Sequence, residues 1–128
     1  MIVDSSAIVA IALREPGYEK LLDKLRSAET VGIGTPTLTE AGMVLSARLG
    51  IEPQALLERF LRDFRVLPVV FGDQHWREAL EAFRRFGKGR HPAALNFGDC
   101  LSYAAARLAG HPLLYVGDDF PRTDIDAA

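Results

Sequence analysis

The chain has 128 residues, 48% hydrophobic and 25% charged, with a formal net charge of −2. Such ordinary globular usage excludes disorder, collagen and coiled coil, and the length fits one domain spanning 1–128. The near-neutral balance excludes strong bulk attraction to nucleic acid or an anionic membrane, so a polyanion would have to be met by a local basic patch or by metal ions.

In chain order, Met1–Val3 reads as a short buried strand ending at Asp4, and Ser5–Leu13 as a helix that Ser5 or Ser6 can cap. Pro16 and Gly17 punctuate. Tyr18–Ser27 carries Leu21, Leu22 and Leu25 at helical spacing. Val31–Thr35 is a strand weakened by Gly32 and Gly34. Thr37–Leu49 is a helix closed by Gly50. Pro53–Phe64 presents Leu56, Leu57, Phe60, Leu61 and Phe64 on one face. Val66–Phe71 is a third strand, and Asp73–Phe86 a helix ended by Gly87. Lys88–Asn96 is a polar loop, Phe97–Leu108 a small-residue helix ended by Gly110, Pro112–Val116 a fourth strand and Gly117–Ala128 a tail.

Strands separated by helices predict an α/β protein, a compact three-layer α/β/α sandwich with a mainly parallel sheet. Runs that are apolar throughout, such as Val66–Phe71, predict burial on both faces. No apolar run approaches the ~18 residues of a membrane span. The opening residues lack the features of a signal peptide. The single cysteine, Cys100, cannot form an internal disulfide. A reducing cytoplasm is therefore the expected compartment, with no membrane partner.

Ligands in such sheets bind outside the carboxyl ends of the strands. Asp4 ends the first strand there, and Asp118 and Asp119 end the last. Asp99 opens the helix before that strand, and Glu40 lies in the first turn or so of the Thr37–Leu49 helix. Four or five carboxylates can thus share one pocket. Crowded carboxylates repel unless something positive joins them, and a hard cation, Mg²⁺ or Mn²⁺, is the simplest resolution. Such a site can activate a water for in-line attack on a phosphodiester. Three scattered histidines and one cysteine lack zinc-ligand spacing. Each acid also has a plainer role open to it: Asp4 as a helix cap, Glu40 and Asp99 as favourable charges near helix starts, Asp118 and Asp119 as a turn.

The densest basic run is Arg84, Arg85, Lys88, Arg90 and His91. It reads either as cations complementing a helix end or as a phosphate-contacting rim. His91, beside Pro92, is read as a loop residue and is given no catalytic role. Trp76 reads as a core or partner contact, Cys100 as a buried small residue, and Phe60 and Phe64 as core. Tyr103 either lines the site or packs in the core.

The opening Met1-Ile-Val-Asp-Ser-Ser-Ala-Ile-Val-Ala resembles that of VapC-type PIN-domain ribonucleases. The stretch Gly87-Lys-Gly-Arg-His followed by Leu95-Asn-Phe-Gly-Asp-Cys-Leu-Ser-Tyr-Ala is similar to wording carried by a VapC subgroup. Leu114-Tyr-Val-Gly-Asp-Asp-Phe and Thr123-Asp-Ile extend the resemblance over essentially the whole chain. The first motif is weak alone; the middle and final ones together are specific.

The resemblance implies a PIN-domain fold and the toxin of a type II toxin–antitoxin pair, a Mg²⁺- or Mn²⁺-dependent endoribonuclease. Its catalytic acids fall on Asp4, Glu40, Asp99 and, of two candidates, Asp119 rather than Asp118. Asp4 and Asp99 are expected to ligate the principal metal. Glu40 and Asp119 would act through water or hold a second ion, with Asp118 a further candidate ligand. Ser6 matches a small hydroxyl position and is expected to bond an acid or the substrate. Arg84, Arg85, Lys88 and Arg90 would contact RNA.

The resemblance also implies a homodimer and a VapB-type antitoxin, forming a heterotetramer or larger assembly. Apolar residues on the helices from Tyr18 to Phe64 exceed what one small core needs and can serve those contacts.

Two other readings compete. A magnesium-dependent phosphatase of the haloacid-dehalogenase type would need an Asp where Ser6 stands. A receiver would need a late lysine, and the last lysine is Lys88. The other alternative is a non-catalytic interaction module whose acids only cap helices. No Gly-x-Gly-x-x-Gly or P-loop suggests a nucleotide cofactor.

Overall fold

The computed structural model describes all 128 residues. Eleven elements follow one another: β1 (Ile2–Val3), α1 (Ser5–Ala12), α2 (Tyr18–Ser27), β2 (Val31–Gly34), α3 (Thr35–Leu49), α4 (Gln54–Asp63), β3 (Val66–Val69), α5 (Asp73–Phe86), α6 (Phe97–Ala109), β4 (Leu113–Leu114) and a 3-10 turn (Phe120–Arg122). The four strands form one all-parallel sheet in the order β3-β2-β1-β4.

Alternation along the strands feeds two cores. Ile2 and Leu113 pack with Ala79, Ala82, Phe86, Tyr103 and the alanines of α6 on one face. Val3, Leu114, Val31 and Ile33 pack with Ile8, Leu25, Ala41, Leu45 and Phe60 on the other. The sheet is therefore covered on both sides, as the expected sandwich requires. The glycines of β2 do more than weaken a strand. A Cβ on Gly32 would lie 3.1 Å from the Ile2 side chain and 3.2 Å from that of Val69, and one on Gly34 would lie 3.7 Å from Ala105 of α6. The bare Gly32 thus leaves room for the side chains of the two neighbouring strands, while a Cβ on Gly34 would make only ordinary contact with α6.

Three expectations need correction. Val66–Phe71 is not buried on both faces: β3 is an edge strand of four residues, with Leu67 59% exposed and Val70 78% exposed. Pro68 is tolerated because an edge strand can spare a donor. α3 begins at Thr35, two residues earlier than read, because Pro36 fits a helix's first turn, where its missing N–H costs nothing. Glu40 thus sits in the second turn, not the first. β4 is only Leu113–Leu114, since the N–H of Val116 donates to the Ser6 hydroxyl rather than to a neighbouring strand.

The tail closes the free side of β4. Leu113 N–H donates to the Asp126 carbonyl and Ala128 N–H to the Leu113 carbonyl. The Tyr103 hydroxyl donates to Asp124 at 2.6 Å. No helix is long and apolar enough to cross a membrane.

Candidate active site

Asp4 follows β1 directly and caps α1. Its Oδ2 accepts from the Ser6 N–H at 3.0 Å and the Ser6 hydroxyl at 2.5 Å, and its Oδ1 accepts from the Ser102 hydroxyl at 2.5 Å. The plain cap and the site acid are thus one residue. Ser6 takes the acid-bonding role expected of it, and its oxygen accepts in turn from Val116 N–H at 3.0 Å. Ser102, on α6, lies 3.3 Å from the Thr37 hydroxyl on α3.

Asp99 stands at the third position of α6, where a reciprocal capping pair fixes it. Its Oδ2 accepts from Asn96 N–H at 3.0 Å, and Asn96 Oδ1 accepts from Asp99 N–H at 2.9 Å. Glu40 reaches this helix start from α3. A Cβ on Gly98 would fall 2.0 Å from Glu40 Oε2 and 2.7 Å from its Cδ, so the carboxylate lies against the bare backbone beside Asp99. Asp118 and Asp119 are both exposed in the turn after β4. Asp119 leads into the 3-10 turn without using its side chain as a cap.

The electrostatics of Asp99 report which acids converge. Its pKa is pushed up from 3.8 to about 6, first by burial, then by the negative charges of Asp4, Asp119 and Glu40, against the lowering effect of the Asn96 N–H. Of the two neighbouring acids in the turn, the charge of Asp119 and not that of Asp118 is among those raising it. None of the five acids pairs with a lysine, arginine or histidine.

An all-oxygen donor set without a basic partner suits a hard divalent cation. No three acidic, histidine or cysteine side chains form a ready-made ligand cage. That still fits Mg²⁺, which keeps several waters and takes one or two carboxylates directly.

The basic run separates into two kinds. Arg84 is clamped by Glu81 at 2.8 and 2.5 Å. Arg85 pairs with Asp124 at 2.9 Å and lies over the Phe86 ring. Lys88 and Arg90 have no carboxylate partner; Arg90 stacks on Phe83. They belong to the 87–96 loop that leads into Asn96 and α6. His91 is a loop residue as read, its Nδ1 accepting from Ala93 N–H at 3.0 Å. Tyr103 is core and tail anchor rather than site lining. Cys100 is buried, with its thiol pushed up to about 11 mainly by that burial.

The PIN-domain family model matches residues 1–126. The chain belongs to the PIN-domain family. Among its relatives, ribonuclease VapC36 of Mycobacterium tuberculosis is 42% identical over 127 residues, covering 98% of this chain and 91% of the relative. Ribonuclease VapC42 of the same species is 40% identical over 129 residues, covering 100% and 98%. Ribonuclease VapC of Mycolicibacterium smegmatis is 38% identical, covering 99% and 98%. The fold matches the crystal structure of Mycobacterium tuberculosis VapC20, described as a sarcin-ricin loop cleaving toxin. The TM-score is 0.79 at 18% identity, over 99% of this chain and 97% of that one. The chain is thus a PIN domain of the VapC type, as its motifs implied.

The sequence reading of this PIN domain missed Gly98, Thr37 and Ser102. A signal was present for the two hydroxyls. Thr37 stands three residues before Glu40 and Ser102 three after Asp99, so each shares a helix face with an acid. Only the folded sheet edge reveals that Ser102 reaches Asp4 and Thr37 reaches Ser102.

Proposed function

We propose that this chain is the toxin of a type II toxin–antitoxin pair and a Mg²⁺- or Mn²⁺-dependent endoribonuclease. The observation that carries this reading is the gathering of carboxylates without a basic partner at one end of the sheet, with Glu40 lying against Gly98 beside Asp99 and Asp4 held by Ser102 of the same helix, in a chain aligned end to end with VapC ribonucleases.

Asp4 and Asp99 would hold the ion, with Glu40 and Asp119 acting through its waters. When bound, a divalent cation supplies charge neutralisation and lowers the pKa of a coordinated water. The protein's own contribution is orientation. Both oxygens of Asp4 are fixed by hydroxyls. One oxygen of Asp99 is fixed by Asn96, and its other oxygen is unengaged within the protein. Lys88 and Arg90 offer charge to RNA phosphates.

Hydrolysis proceeds as water oxygen bonds to phosphorus and the bond to the 3′ oxygen breaks. That oxygen takes a proton, leaving a 5′-phosphate and a 3′-hydroxyl. A VapB-type antitoxin would silence the site by presenting an arginine to the same carboxylates. A homodimer binding two antitoxins, in the cytoplasm, completes the proposal.

The test is incubation of purified protein with total bacterial RNA in Mn²⁺, Mg²⁺ or EDTA, followed by mapping of the new ends. Discrete fragments with 5′-phosphates in metal alone are expected. Equal cutting in EDTA, or 2′,3′-cyclic phosphate ends, would reject the mechanism.

A further inference from the structure

The interior of this protein is almost wholly apolar, with one exception. Apart from the glycine backbone, the buried residues include only three polar or charged ones: Asp4 at 3% exposure, Thr37 at 2% and Ser102 at 0%. These three are not scattered. They form one hydrogen-bonded line across three elements, from α3 through α6 to the end of β1.

The direction of the line follows from proton counting. An ionised carboxylate only accepts, and a serine has one hydroxyl proton. Ser102 gives that proton to Asp4 Oδ1. Its oxygen is then free to accept, and Thr37 donates to it. Ser6 does the same on the other side: it donates to Asp4 Oδ2 and accepts from Val116 N–H. Each oxygen of Asp4 is therefore gripped by a hydroxyl that is itself gripped.

Packing alone does not call for these hydroxyls. The residues around Ser102 on α6 are Tyr103, Ala104, Ala105 and Ala106, all buried and apolar-packed. Alanine at 102 and valine at 37 would fill nearly the same space without burying two polar groups that need partners.

We infer that Ser102 is a positioning residue for Asp4, and that Thr37 acts through it. Together they set the orientation of the carboxylate before a divalent cation arrives. This rests on the metal-site reading above. The partners behind a metal ligand typically govern ion affinity by ~10–100-fold. Thr37, one hydrogen bond further out, governs it less.

The test measures Mn²⁺ affinity by isothermal titration, and thermal denaturation in EDTA, for wild type, Ser102→Ala, Thr37→Val, Thr37→Ser and Asp4→Ala. The expected result is Mn²⁺ binding weakened about tenfold in Ser102→Ala. Thr37→Val should show a smaller loss that Thr37→Ser restores, because the hydroxyl and not the methyl is what matters. If Ser102→Ala fails to fold, the Thr37→Val and Thr37→Ser pair decides the question alone. Variants that lose thermal stability yet bind Mn²⁺ as wild type does would overturn the inference and leave a merely structural network. If Asp4→Ala also binds Mn²⁺ normally, the metal-site reading itself has failed. If Asp4→Ala loses binding while the hydroxyl variants keep it, only the positioning inference has failed.

Discussion

Replacing Asp99 by asparagine should make the protein more stable while removing its activity. The carboxyl titrates near 6 instead of 3.8, so its ionised form is disfavoured in the folded state. At ~1.36 kcal/mol per pKa unit, the full value is about 3 kcal/mol. The group is partly open to solvent, and screening reduces this to about 1–2 kcal/mol. The sign is that of a raised acid. The folded state binds the proton more tightly than the unfolded chain, so this contribution is present at low pH and is lost as pH rises from about 4 to about 6. Asparagine keeps an oxygen to accept from the Asn96 N–H, so the helix cap survives. Denaturant titrations of wild type and Asp99→Asn in EDTA should coincide near pH 4. They should diverge above pH 6, with the variant ahead by about 1–2 kcal/mol, or ~4–8 °C in Tm. Added Mn²⁺ should stabilise the wild type alone. A variant less stable at pH 7.5, or a difference that does not change with pH, would refute the claim that burial, reinforced by the neighbouring acids, disfavours the ionised Asp99.

Three further outcomes follow from named contacts. Gly98→Ala places a methyl where the Glu40 carboxylate lies; the flexible side chain moves away, so cleavage should fall about tenfold. Thermal denaturation should show no loss of stability, since alanine favours the helix by up to about 1 kcal/mol. Lys88→Ala with Arg90→Ala should flatten the salt dependence of RNA binding by about 1.4 in log–log slope, read by fluorescence anisotropy, whereas Arg85→Ala, which loses its Asp124 partner, should leave that slope alone. Cys100, buried with its thiol pushed up to about 11, should resist a thiol-reactive dye in the native protein and react in denaturant.

The order of strands and helices was legible because most apolar runs have a clear period and a glycine or proline near one end. Gly50 and Gly110 do close α3 and α6 in the left-handed conformation. The misreading of β3 has a plain cause: local pattern does not encode sheet position. Leu67 and Val70 look buried in sequence, yet β3 lies at the edge. The acids were legible because the parallel topology sends strand ends and helix starts to one edge. Asp119 is distinguished from Asp118 by the charges acting on Asp99, which three-dimensional placement alone reveals. The commitments of Arg84 to Glu81 and Arg85 to Asp124 were hidden for different reasons. The first is a local helix pair that charge counting passes over, and the second spans 39 residues.

The most direct test of the account compares amide variants of the five acids, Asp4→Asn, Glu40→Gln, Asp99→Asn, Asp119→Asn and Asp118→Asn. Each is assayed for RNA cleavage in Mn²⁺ beside the wild type. The four converging acids should each abolish or cut cleavage by a hundredfold or more, on the order of the ~3 kcal/mol that removal of one key electrostatic group costs. Asp118→Asn should stay within a few-fold of wild type. Full activity in any of Asp4→Asn, Glu40→Gln, Asp99→Asn or Asp119→Asn would contradict a single site built from these carboxylates.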